Sequence, residues 1–487
     1  MFFLKKIKLI FILLLLHLLH VGYLFSENVI NYDIPEDYEN LSGGIGSTTS
    51  SNKNSFSLPM KNINQSNKID FFIGNSLFQR NWVPSPAITK ASDGLGPLFS
   101  ASSCQSCHIS DGRGHPPQTF TDSKPSLMAI HLSIPPQNNE QALALKSTHI
   151  KSIPDPIYGS QLSNFAIDGI SPEGEISITY EFIPVMFDNG KIVSLRKPIY
   201  SITNKNYGDL HPEIQISARV AQPMIGLGLI ENISELDILK NIDLEDIDGD
   251  GITGKANYVW NKLEKKSSLG RFGWKASQPN IYQQTVDALF EDMGLSSTAI
   301  PFSDNCTVNQ IECKQFQNGN SKEYDGFEVS NDQIDLIVYY SKHLSVPQRR
   351  GHDNKDVLAG KKVFFQSGCA SCHTPKFQTA KNENDQSLSK QLIWPYSDFL
   401  LHDMGEDLAD DVGEFLANGN EWRTPPLWGI GLTNKVSGHT NFLHDGRARN
   451  ILEAILWHGG ESKKSRDNVL NLSNNDLDKL LIFLNSL

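Results

Sequence analysis

The chain begins with a dense apolar block, MFFLKKIKLIFILLLLHLLHVGYLF. It carries three lysines near its start and no acid before Glu27. A positive stretch followed by an apolar run predicts a secretory signal over residues 1–26. Leu24-Phe25-Ser26 is a poor cleavage site, so the segment is expected to act either as a removed signal or as an uncleaved membrane anchor. Residues 27–68 (ENLSGGIGSTTSSNKNSFS at their centre) show little apolar periodicity and predict a flexible linker. Farther on, SITYEFIPVMFDNGKIVSLRKPIYSIT alternates apolar and polar residues on both sides of Asp188-Asn-Gly190, which predicts a β-hairpin. Helical spacing appears at Glu213 to Leu229, at Ile281 to Met293, and at Asn331 to His343, the last expected to pack on the final domain. VLAGKKVFFQSG predicts a helix bearing Val363, Phe364 and Phe365. The closing NNDLDKLLIFLNSL places Leu477, Leu480, Leu481, Phe483 and Leu484 on one helical face, with Asn475 as N-cap.

A chain of 487 residues calls for two or three domains. The formal charge is −12, and loss of residues 1–26 removes only lysines, leaving about −15. Nucleic acid is therefore not expected as a partner, since its phosphates need a basic face.

Six cysteines change the picture most. Four form two copies of one pattern, Cys104-Gln-Ser-Cys107-His108 and Cys369-Ala-Ser-Cys372-His373, 265 residues apart. A tetrahedral zinc site normally draws its two cysteine pairs from a spacing of about 12 to 20 residues, which this separation does not fit. A thioredoxin-like redox pair leaves both histidines without a role. Two thiols on one tight turn can reach the two vinyl groups of a haem while the next histidine faces the iron, so covalent haem attachment is the favoured reading. His108 and His373 are then the proximal ligands. His402, Met404, His439, His444 and His458 are candidates for the opposite side of the second iron, and each alone is more often a structural residue. Cys306 and Cys313 remain as a pair, expected as a small-loop disulfide in an exported protein, the alternative being two free thiols. In LEDIDGDGITGKANY, Asp246, Asp248 and Asp250 match the first half of a calcium loop, but Asn257 stands where an EF-hand has glutamate.

The stretches GLGPLFSASSCQSCHISDGRGHPP, GRFGWKA, LLHDMGEDLAD, WRTPPLWGIGLT and FLHDGRARNILEAILWHGGE together resemble the di-haem oxidoreductase family, sometimes labelled thiol oxidoreductases. That family is similar to the bacterial di-haem cytochrome c peroxidases and to the di-haem enzyme that matures methylamine dehydrogenase. The resemblance runs from about Ile69 to Leu487. It implies a mainly α fold with two cytochrome-c-like haem domains, at 69–150 and 341–487, around a mixed α/β insertion at 151–340 that contains the hairpin. In the peroxidases the distal ligand of the second haem follows the histidine of an HDG motif by fourteen positions, which designates His458 here, counted from His444. This histidine replaces the methionine of the peroxidases and the tyrosine of the maturation enzyme, and His/His ligation lowers a haem potential relative to His/Met. His115, seven residues beyond His108, is too close in sequence to reach around the first porphyrin, so the first iron is expected to be open. Gln161 and Glu173 have suitable types for a distal pocket, with surface positions as the default. Trp82 is a candidate electron-hopping aromatic, with core packing favoured, and Arg423 and Arg447 are candidates for haem propionates. The relatives hold calcium between their haem domains.

The expected protein is thus a periplasmic di-haem c-type oxidoreductase, peroxidase-like, moving electrons from the C-terminal haem to an open N-terminal haem. Its partners would be a small redox protein and peroxide. The competing expectation is a non-catalytic di-haem electron-transfer cytochrome.

Overall fold

The computed structural model describes residues 31–117 and 128–487. The expected leader at 1–26 lies outside them. Among the described residues no helix is long and apolar enough to cross a membrane.

In chain order, the elements that position the two pentapeptides begin with helix α1 (Gln65–Phe78), capped by the Asn64 side chain, and the single turn α2 (Cys104–Cys107). The insertion follows with strands β1 (Met128–Ser133), β2 (Glu175–Met186), β3 (Ile192–Thr203) and β4 (Gln215–Val220), then helices α3 (Ile281–Met293) and α4 (Asn331–Lys342). The last part contains α5 (Lys355–Gln366), strands β5 (Leu401–Asp403) and β6 (Glu421–Arg423), α6 (Ile451–Leu456) and α7 (Asn474–Ser486). Among the described residues the strands pair two by two and antiparallel: β1 with β4, β2 with β3, β5 with β6. The β2–β3 ladder runs from Glu175 opposite Thr203 to Met186 opposite Ile192, so the hairpin turns where Asp188-Asn-Gly190 predicts. Ser473, two residues before the expected Asn475, caps α7 through the Asp476 amide.

Three expectations need correction. The segment from Glu213 to Leu229 is a strand, β4, followed by a short helix, Leu227–Glu231. Short apolar runs do not separate the two periods by themselves, and β1, more than eighty residues upstream, supplies the ladder that decides for a strand. Residues 31–68 are built into the core rather than forming a linker. Phe56 and Met60 are 1% exposed, and Glu39 is fully buried between Arg349 and Lys361. Their apolar residues are too sparse to show a period, and tight turns between them satisfy the backbone. Finally, α4 packs on α1 rather than on the last domain, with the Tyr340 ring 4.8 Å from Phe71 and 5.3 Å from Phe78.

Each pentapeptide is therefore preceded by a helix crossed by a second one, α1 by α4 and α5 by α7. Both crossings are closed at a glycine. A Cβ on Gly74 would lie 2.1 Å from the Leu336 carbonyl, and one on Gly360 2.0 Å from that of Lys479. Only a hydrogen fits there. The helix that closes the first unit thus arrives from residue 331, at the end of the insertion.

Candidate haem sites

Both pentapeptides sit on tight turns whose causes are local. Ser103 caps α2 by accepting from the Ser106 amide, and Gly368 takes a left-handed conformation (φ 83°) that turns the chain into Cys369. The four cysteines remain unpaired with one another. Burial, then the nearby Asp292 charge, pushes the Cys104 and Cys107 thiols up to about 12, and burial does the same to Cys369. Burial thus keeps these thiols protonated, and Cys372 Sγ lies 3.6 Å from His402 Nδ1.

Three histidines share one arrangement. His108 Nδ1 lies 2.8 Å from the Gln222 carbonyl, His373 Nδ1 2.9 Å from that of Tyr396, and His458 Nδ1 2.8 Å from that of Ala454. A carbonyl only accepts, so each Nδ1 carries the proton and each Nε2 is a bare lone pair. Burial lowers all three, His108 and His373 to about 4, so the imidazoles are neutral bases. Such a backbone bond is the usual outer-shell support of an iron-binding imidazole.

His373 and His458 line one cavity together with Cys369 and Cys372, its walls mostly apolar. The space open to the centre of a water molecule is about 220 Å³, many times what a single water needs. Two thiols and two bare imidazole nitrogens around a large apolar cavity suit a haem.

Of the other candidates His402, Met404 and His444 also line this cavity, and each has its own contacts. His402 has both nitrogens 2.8 Å from carboxylates, Nε2 at Asp398 and Nδ1 at Glu461, so it must donate twice and is an imidazolium. Burial opposes that charge, but Asp398 and its neighbours raise the group well above the usual histidine range. His439 donates from Nε2 to the Arg113 carbonyl (3.1 Å) and accepts the Asn441 amide at Nδ1. His444 stacks on Trp422 at 3.8 Å between centroids. Met404 lines the cavity and accepts a 3.7 Å contact from the Ser462 hydroxyl.

Around the first pentapeptide the structure differs from expectation. Gln161 and Glu173 are buried, not on the surface. Gln161 Nε2 donates to Asp292 Oδ1 (2.7 Å) and to Ser100 Oγ (3.1 Å). Asp292 is half-buried, its carboxyl raised by that burial, and its main-chain oxygen accepts from Ser100 and Ala101 just ahead of Cys104. Asp292 was not legible in the sequence, where it is one acid on the amphipathic α3. Glu173 instead braces the loop closed by the Cys306–Cys313 disulfide, accepting from the Ser163 amide and from Gln310, and burial lifts it to about 8. His115 donates from Nδ1 to the Pro116 carbonyl (2.8 Å) and faces His439 at 5.0 Å. Trp82 is a packed core residue, 5% exposed.

In the acidic loop, Asp246 and Asp248 converge with Asp243 rather than with Asp250, their oxygens within 4.8 Å of one another. Asp250 caps the Ile252 amide, and each of the other three also accepts a loop amide.

Residues 38–487 match the family profile described as "Di-haem oxidoreductase, putative peroxidase". The chain belongs to that family. For this di-haem oxidoreductase the cofactors are haems and the chemistry is oxidation–reduction. No curated protein matches the chain. Among solved structures, hydrazine synthase from Kuenenia stuttgartiensis, pressurised with xenon, is similar at 18% identity, with a TM-score of 0.22. That match covers 38% of this chain and 62% of the other, less than two thirds of its length.

Proposed function

We propose that this di-haem oxidoreductase is a periplasmic peroxidase-like enzyme, with haems held covalently at Cys104/Cys107 and Cys369/Cys372. The observation that carries the reading is an asymmetry. His373 and His458, each with a bare Nε2, line one cavity at the C-terminal site, whereas at the first site a hydrogen-bonded amide and acid, Gln161 and Asp292, lie near the Cys104/Cys107 pair. His373 and His458 would hold the iron of the C-terminal haem, and His108 would hold that of the first, where no second histidine is assigned. The haem held at Cys369/Cys372 would serve as the electron entry and the one held at Cys104/Cys107 as the peroxide site. Bound haem supplies the iron that takes two electrons to peroxide, which with two protons becomes two water molecules. Asp292, its carboxyl raised by burial, is the candidate proton donor, and Gln161 orients it by donating to Oδ1.

Export is supported by the leader pattern and by the Cys306–Cys313 disulfide, a bond stable in oxidising compartments. An electron donor in that compartment is a small redox protein. The aspartates at 243, 246 and 248 provide the oxygen ligands a calcium ion would use.

The test is to mix reduced protein with hydrogen peroxide and follow the haem bands. Reoxidation within the mixing time, with a high-spin ferric component that binds cyanide, is the expected result. A wholly low-spin ferric spectrum and slow reoxidation would overturn the reading and leave an electron carrier.

A further inference from the structure

Two arginines border the cavity with no acid to balance them. Arg423, on β6, is 4% exposed and Arg113 is 8% exposed. Among the described residues neither has a carboxylate within ion-pair distance. Arg423 donates from Nε to the Gly273 carbonyl (2.9 Å), from Nη1 to its neighbour Thr424 (3.2 Å) and from Nη2 to Gln222 Oε1 (3.1 Å). Arg113 donates from Nη2 to the Leu443 carbonyl (2.7 Å), and its buried Nε has no acceptor. The side-chain Nε2 of Gln222 is likewise buried without an acceptor. The nearest acid to influence Arg423, Asp398, is already occupied by His402 Nε2. All three residues line the same cavity as Cys369 and His458. Arg447, the other arginine expected at a propionate, is instead neutralised by Asp445 (Nε to Oδ2 2.9 Å).

A buried guanidinium without a counter-charge is unstable, and proteins keep such groups where a ligand supplies the missing anion. Orphaned donors at one corner of an apolar cavity describe what is missing: a carboxylate that enters with an otherwise apolar group. We propose that Arg113, Arg423 and the Gln222 carboxamide bind the propionate carboxylates of the C-terminal haem. This rests on the reading above that a haem is attached at Cys369 and Cys372. Gln222 is the positioning residue. Its side chain orients Arg423 while its main-chain oxygen holds His108 Nδ1, so one residue ties the propionate corner of the second haem to the proximal histidine of the first.

The test uses the full-length protein with both haems. Mass analysis of the peptide containing Cys369 and Cys372 first establishes that haem is attached, and an absence of haem there overturns the underlying reading together with this one. With haem present, the potentials are measured by optical redox titration and the propionate modes by resonance Raman. Removing a positive charge beside the haem favours its ferric form. Arg423→Gln is therefore expected to shift the C-terminal haem's reduction equilibrium about tenfold toward ferric, 59 mV for one electron, and to move the propionate bands. Arg423→Lys is expected to restore most of the potential, because it returns the charge. Arg113→Gln and Gln222→Leu shift the potential in the same direction, Gln222→Leu by less. Wild-type potentials and propionate bands in both arginine-to-glutamine variants, with haem attached, would overturn the inference and leave the attachment reading intact.

Discussion

Glu39→Gln tests most directly whether the N-terminal segment is part of the folded protein. Glu39 is fully buried. Its Oε1 pairs with Arg349 and accepts from the Tyr396 hydroxyl (3.2 Å), and its Oε2 accepts from Lys361 Nζ (2.9 Å). Arg349 and Lys361 are themselves 4% and 0% exposed. Burial would raise the Glu39 carboxyl, but the two cations hold it below the usual range. The glutamine keeps the shape and removes the charge, leaving Arg349 without a carboxylate and Lys361 with Glu36 alone (3.0 Å). Breaking a buried pair by removing one partner costs about 3–5 kcal/mol. If the roughly 450 folded residues melt as a unit, the unfolding entropy is about 1 kcal/mol per degree, and Tm falls by about 3–5 °C. If the N-terminal segment and the C-terminal unit melt alone, the entropy is less than half of that and the fall is about 8–12 °C. The same carboxylate touches Tyr396, whose main-chain oxygen fixes His373, so the spectrum of the C-terminal haem should change as well. Differential scanning calorimetry and the ferric spectrum check both. A Tm within about 1 °C of wild type, as for an ordinary surface substitution, and an unchanged spectrum would refute the argument and restore the linker reading.

Other consequences are as direct. His458→Ala is expected to abolish the low-spin signal of one haem only, seen by spin resonance, and to leave the other haem unchanged; no change would mean another residue faces that iron. Asp292→Asn removes the ionisable proton near the first site and is expected to slow peroxide turnover by about 10²–10⁴-fold while haem content stays constant. Gly360→Ala drives a Cβ to 2.0 Å from the Lys479 carbonyl and is expected to cost about 1–3 kcal/mol in thermal stability by parting α5 from α7. Against the burial that would raise it, the hydrogen bond and charge of His402 hold the Glu461 carboxyl at about 2. Because this folded value lies below the unfolded one, the stabilisation is present above about pH 4.5 and is lost as pH falls toward 2. Glu461→Gln should therefore flatten the acid limb of a Tm-against-pH curve.

Much of the site was legible because its chemistry lies in contiguous residues. Two cysteines and a histidine on one turn stay together wherever the turn sits. The spacing from His444 to His458 spans one loop and one helix, so a local count survives folding. The hairpin at Asp188-Asn-Gly190 and the loop closed by Cys306 and Cys313 are local for the same reason.

The tertiary structure decided whatever depends on a partner far along the chain. Gln222 and Tyr396 offer no side chain to His108 and His373, only a main-chain oxygen, and a main-chain oxygen has no sequence signature. His402, His439 and His458 look alike as residues; they differ in whether a distant or a local acceptor has already claimed Nε2. The β4 strand, the buried Glu39 and the α4 helix over the first pentapeptide follow the same rule. A motif states which groups can bind a haem. The fold determines which lone pairs and charges are left for it, because hydrogen bonds and ion pairs are allotted by proximity in space rather than along the chain.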